Sequence, residues 1–154
     1  MACRIGVISD THGLLRPEAV DWLCGSNRIL HAGDVGEPKI LDRLAAIAPL
    51  HAVRGNVDRS GICAELPAKT VIEVEGVSIY MLHDIADLDV KPDAAGINIV
   101  VYGHSHRAKV ERTADGVLFF NPGSAGPRRF RLPITVGELL VEDGAVEARV
   151  HTFG

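Results

Sequence analysis

The sequence predicts an α/β fold: two stacked β-sheets with helices on the outside. Two observations predict it. The first half alternates strand and helix signals, as a parallel sheet with packed helices requires. The remainder is β-rich and punctuated by glycine turns, as a sheet of hairpins requires. At 154 residues, with 47% hydrophobic and 23% charged residues, the chain is expected to form one globular domain over 1–154.

Residues 5–9 are an apolar run of strand length. Pro17 suits a first helical turn, and 18–24 carries that helix on. Residues 28–32 read as a second strand. Pro38 opens a helix through Ala48, with Ile40, Leu41, Leu44 and Ala45 on one face. Residues 51–54 form a third strand, which completes a βαβαβ unit. Then 70–74 and 77–82 flank the turn Glu75-Gly76, and 97–102 is a further buried strand. Residues 109–113 and 117–120 flank Ala114-Asp115-Gly116, and 134–141 and 145–152 flank Glu142-Asp143-Gly144.

The net charge of −4 disfavours a non-specific binder of long nucleic acid, which is usually basic. No apolar run approaches the roughly 18 residues of a membrane span, and the start, MACRIGVISD, lacks a signal-peptide pattern. Cys3, Cys24 and Cys63 are odd in number and form no CxxC pair, so buried free thiols in a reducing cytoplasm are expected.

The chemistry-bearing residues sit at predicted strand ends: Asp10-Thr11-His12, Gly33-Asp34, Gly55-Asn56-Val57-Asp58, His83 and Gly103-His104-Ser105-His106. Ligands of open α/β sheets bind just outside such ends. In extended backbone, residues two apart face one way, so Asp10/His12 and His104/His106 would each offer two donors. The neighbouring glycines permit close backbone approach. Histidine, aspartate and asparagine without thiolates suit a divalent transition metal, not a structural zinc finger. Singly, Gly-Asp or Gly-Asn-x-Asp is an ordinary turn; the ordered set is not.

That ordered set, D-x-H, G-D, G-N-x-D, H, G-H-x-H, resembles the calcineurin-like metallophosphoesterase superfamily. It looks most like the small single-domain prokaryotic phosphodiesterases. The resemblance spans residues 5–131 and includes Asn121-Pro122-Gly123-Ser124. It implies a four-layer α-β-β-α sandwich of two mixed sheets flanked by helices. It also implies two divalent metal ions, Mn foremost, with Ni, Fe, Zn or Mg as alternatives. Asp10, His12, Asp34 and His106 would hold the first metal, and Asp34, Asn56, His83 and His104 the second, with Asp34 bridging. The implied reaction is in-line attack on a phosphodiester by a hydroxide between the metals, with Asp34, Asn56 and His104 as catalytic residues. Two divalent cations outweigh Asp10 and Asp34, so such a site attracts phosphate. Arg54, Asn56 and Arg128 are candidate substrate contacts, because guanidinium groups pair with phosphate. The expected partner is a small phosphodiester, with homo-oligomers plausible for the small branch. The alternative is a protein-interaction scaffold on the same fold, as in the retromer subunit of the superfamily.

The sequence departs from larger relatives at Val57, where many carry a histidine that acts on the leaving group, and at Asp84, where glycine usually follows the histidine. Asp58 is read as a loop cap or a substitute proton donor, Asp84 as a partner for a metal-bound imidazole or a surface carboxylate, and His31 as a strand-end residue rather than a ligand.

Overall fold

The structure, a computed structural model, describes residues 2–153. The βαβαβ unit runs β1 (Cys3–Ile8), α1 (Pro17–Leu23), β2 (Arg28–His31), α2 (Pro38–Ala45) and β3 (Leu50–Ala52). A four-residue helix, α3 (Gly61–Ala64), leads to the hairpin β4 (Lys69–Val74) and β5 (Val77–Leu82). A 3-10 turn at Ile85–Asp87 precedes β6 (Ile99–Val101). Two hairpins finish the chain: β7 (Lys109–Arg112) with β8 (Leu118–Asn121), and β9 (Ile134–Glu142) with β10 (Ala145–Phe153).

These strands form two mixed five-stranded sheets, ordered β10-β9-β1-β2-β3 and β4-β5-β6-β8-β7. In the first, β1, β2 and β3 are parallel and β9 and β10 antiparallel. In the second, β5, β6 and β8 are parallel. Pairing aligns Ile8 with His31 and His31 with Ala52, so three strands end level. Met81, Val101 and Phe120 do the same in the other sheet. The loops bearing the polar motifs therefore leave both sheets on one side.

Ile5, Val7, Leu30, Ile79, Met81, Ile99, Val101 and Phe120 fill the space between the sheets. A second cluster seats α1 and α2 through Ala19, Leu23, Ile40 and Leu44 against Ile8 and Ile29. Central strands thus bury both faces, which is why they read as continuous apolar runs. The outer layer on the second sheet is thin: Ile85, Leu88 and Phe119 cover Tyr80, Leu82, Val100 and Tyr102.

Two expectations need correction. The helix expected through Ala48 ends at Ala45, where Ile47 donates to the Leu44 carbonyl in a tightened last turn. The thiols are free, but only Cys63 is buried; Cys24 is exposed. Among the described residues no helix is long and apolar enough to cross a membrane.

Candidate metal centre

The loops after β1 and β2 are zipped together by backbone bonds, Asp10 N to Gly33 O at 3.0 Å and His12 N to Asp34 O at 2.9 Å. Asp58 accepts from the N–H groups of Val35, Gly36 and Gly55 at 3.1, 3.1 and 2.9 Å, tying the loop after β3 to them. A buried carboxylate with three backbone donors is a cap, so the structure places Asp58 as the loop clamp. Across the sandwich, His104 N donates to Asp10 Oδ2 at 3.1 Å. Asn121 holds that loop from behind by donating to the Gly103 carbonyl at 3.1 Å.

The motif backbone is not extended, contrary to the expectation. Asp10, His12, Asp34, His104 and His106 all take left-handed φ, of 55°, 46°, 57°, 73° and 63°. Such conformations in non-glycine residues are costly and persist where the surroundings enforce them, characteristically at functional sites. Two glycines make room. A Cβ on Gly55 would strike Asp34 Oδ1 and the Asp34 backbone N, and one on Gly103 would strike Ser9 Oγ and lie 2.7 Å from Asp10 Oδ2.

The side chains converge. Asp34 Oδ2 lies 3.4 Å from His12 Nε2 and 3.2 Å from His83 Nε2. Asp10 Oδ1 lies 3.4 Å from His106 Nε2 and 3.7 Å from both His12 Nε2 and His83 Nε2. His12 and His106 face each other Nε2 to Nε2 at 3.3 Å. Asp10, His12 and His106 form one group able to hold a cation, and Asp10, Asp34 and His83 another. Asn56 and His104 lie at the more open side, His104 Nδ1 3.3 Å from Asn56 Oδ1.

This donor set fits a divalent cation. His83 Nδ1 donates to the Ala32 carbonyl at 2.8 Å, which fixes the ring's orientation and turns Nε2 toward two carboxylates. That Nε2 and Asp10 Oδ1 are buried without hydrogen-bond partners among the described residues. Buried acceptors aimed at acceptors are unfavourable unless a cation lies between them. Burial raises the Asp10 pKa, but the His106, His12 and His83 rings around it and the Ser9 hydroxyl bond outweigh it and hold the carboxyl far below its usual range. Burial likewise opposes ionisation of Asp34, and the neighbouring His83 ring and the Val57 N–H outweigh it. For His83 burial favours the neutral ring, but Asp34 and Asp10 outweigh that and raise its pKa.

His31 is not a ligand. Its Nδ1 accepts from Gly33 N at 3.1 Å, so Nε2 carries the proton and donates to Thr11 Oγ1 at 3.0 Å, which donates on to the Val35 carbonyl at 2.8 Å. Burial pushes its pKa down to about 4. The unfolded ring binds a proton near 6.5 and the folded ring only near 4, so the unfolded state holds more protons between them. Stability therefore falls as pH drops through that window, by on the order of 3 kcal/mol. Thermal melts of metal-stripped protein should show this loss, and His31→Gln should reduce it; an unchanged slope would contradict the assignment.

A cleft of about 370 Å³ opens beside Asn56, His83 and His104 and is lined also by Arg54, Lys69, Asp84 and Asp87. Arg54 borders it while donating to the Leu66 carbonyl at 2.7 Å. Lys69 carries no motif signal; it sits at the start of β4 and pairs with Asp89 at 3.2 Å. Asp84 Oδ1 caps the 3-10 turn at Ala86 N, a role the sequence did not signal, and its Oδ2 is 3.6 Å from His104 Nε2. Arg128 is not brought to this cleft. It lines a separate cavity with Arg16, Glu18, Ile134 and Phe153 and donates to the Leu132 carbonyl at 3.4 Å.

Comparison with known proteins agrees with this geometry. The calcineurin-like phosphoesterase superfamily domain matches residues 3–144. A probable metallophosphoesterase of Methanothermobacter thermautotrophicus is 35% identical over 163 aligned residues, covering 97% of this chain and 92% of that one. Among solved structures, an archaeal phosphodiesterase superposes with TM-score 0.79 at 23% identity, covering 96% of this chain and 99% of that one. Vacuolar protein sorting 29 from Cryptosporidium parvum superposes with TM-score 0.78 at 19% identity, covering 99% and 98%. The two structures share the fold; the domain match and the 35% relative carry the assignment. The chain belongs to the calcineurin-like phosphoesterase superfamily.

Proposed function

We propose that the protein is a phosphodiesterase that uses two divalent metal ions, Mn foremost, to cleave a small phosphodiester in the cytoplasm. The observation that carries this reading is the set of buried, unpartnered acceptors, Asp10 Oδ1 and His83 Nε2, with the Asp34, His12 and His106 donors aimed at the same space. Asp10, His12, Asp34 and His106 would hold one ion; Asp34, Asn56, His83 and His104 would hold the other. When bound, such ions acidify a water and neutralise phosphate oxygens. The chain's own contribution is placement. Asp34 is pinned by the Val57 N–H at 3.0 Å, His83 by the Ala32 carbonyl, and His104 is flanked by Asp84. Asn56 and Arg54 line the cleft where a phosphate would bind.

Val57, which follows the cleft residue Asn56 in the chain, is 44% exposed and has no proton to give. A missing leaving-group acid typically costs about 10²-fold or more. Bis-p-nitrophenyl phosphate, whose leaving group needs no proton, should thus be cleaved at least that much faster than a dialkyl diester. Chelator-stripped protein should be inactive on it and regain activity with Mn²⁺. Failure to regain it with Mn²⁺, Ni²⁺, Fe²⁺ or Zn²⁺ would favour the scaffold reading, which the likeness to vacuolar protein sorting 29 keeps in view.

A further inference from the structure

The segment 127–132, Pro-Arg-Arg-Phe-Arg-Leu, is absorbed by neither the metal centre nor the cleft. Phe130 is 87% exposed, the most exposed large hydrophobic residue among those described. It does not reach that position by default. Leu132 N closes a turn on the Arg129 carbonyl at 2.8 Å, and both central residues, Phe130 and Arg131, take left-handed φ of 53° and 63°. Turns with two such residues favour asparagine and glycine. A bulky aromatic there is strained, and at this exposure no packing offsets the strain.

The turn itself is rich in cations, although Glu18 lies with Arg128 in the cavity beside it. Arg128, Arg129 and Arg131 place three guanidinium groups within four residues of a chain whose net charge is −4. Among the described residues neither the Arg129 nor the Arg131 side chain has a hydrogen-bond or ion-pair partner. The segment is also rooted in the metal-binding loop. Gly126 lies directly against the carbonyls of Asp10 and Thr11, Arg16 donates to its carbonyl at 3.3 Å, and Ser124 Oγ donates to the Asp10 carbonyl at 3.1 Å.

We infer that the 127–132 turn is a substrate-binding arm for a short single strand of nucleic acid, with Phe130 as a platform for a base and Arg129 and Arg131 as phosphate contacts. This rests on the phosphodiesterase reading and names its substrate class. An aromatic face accepts any base, and guanidinium groups beside it take the flanking phosphates. A single diester such as bis-p-nitrophenyl phosphate uses none of this. A nucleic-acid linkage has the alkoxide leaving group that Val57 disfavours, so binding remote from the reacting centre is what such a substrate needs. The small cationic surface suits a few nucleotides and not a long duplex.

The test is fluorescence anisotropy of labelled oligothymidylate and oligouridylate of about eight nucleotides with the full chain, loaded with Mn²⁺ and again in chelator. Binding in chelator does not depend on turnover, so its outcome is separate from that of the hydrolysis assay. We expect binding with a log–log salt slope of about −1.4 for two cations on a single strand. Phe130→Ala should weaken it about tenfold. The pair Arg129→Gln, Arg131→Gln should bring the slope close to zero, and circular dichroism should show every variant folded. Four results would each overturn the inference: no binding; binding indifferent to Phe130→Ala; tripolyphosphate competing as well as the oligonucleotide; or loss of a dimer, or of binding to anionic phosphatidylglycerol vesicles, as the only consequence of the substitutions.

Discussion

Asp34→Asn should lower kcat/KM on bis-p-nitrophenyl phosphate by more than about 10³-fold, roughly 4 kcal/mol of transition-state stabilisation. One oxygen of this carboxylate lies within reach of His12 and His83, ligands assigned to different metals, while the other accepts the Val57 N–H. Asparagine keeps the second contact and tolerates the left-handed backbone at φ 57°. It removes the negative charge that both proposed metal positions would share. The fold should therefore survive while turnover is lost. A variant that kept full metal-dependent activity would remove Asp34 from the centre of the account.

Gly55→Ala should damage both fold and activity. The added methyl would occupy the space of Asp34 Oδ1 and of the Asp34 backbone N, and would sit 2.7 Å from Asp34 Cγ. Neither the backbone nor the carboxylate can retreat, because Asp58 clamps Gly55 N and the Val57 N–H clamps Asp34. A loss of about 3 kcal/mol of stability is expected, in the range of severe steric insertions. Activity should fall with the displacement of Asp34. Gly116→Ala is the control. Nothing lies within 4 Å of its Cβ position, so it should cost only the positive-φ penalty of about 1 kcal/mol. Thermal melts of the two variants check the contrast; equal losses would mean that close packing at Gly55 is not what matters.

Much of the fold was legible because its signals are local. Apolar runs marked the buried strands, and Glu75-Gly76 and Asp143-Gly144 marked tight hairpins whose residues indeed take positive φ. The helix α3 was not legible, since Gly61-Ile62-Cys63-Ala64 is too short to show a period. The ligand residues were legible as types in order, but their geometry was not. Aspartate and histidine serve in extended loops as well as left-handed ones, so Asp10-Thr11-His12 read as extended when it is not. Arg128 stands near a motif in sequence yet lines a different cavity, whereas Lys69 is far from every motif and lines the cleft. Proximity between sheets is set by topology, which no local pattern carries.

The central claim is that the converging acceptors hold metal, and isothermal titration of Mn²⁺ into chelator-stripped protein tests it most directly. Two equivalents per chain are predicted, with one lost in His104→Ala, whose ring sits on the open side with Asn56. Asp34→Asn should weaken both. An absence of binding, or binding untouched by either substitution, would contradict the account.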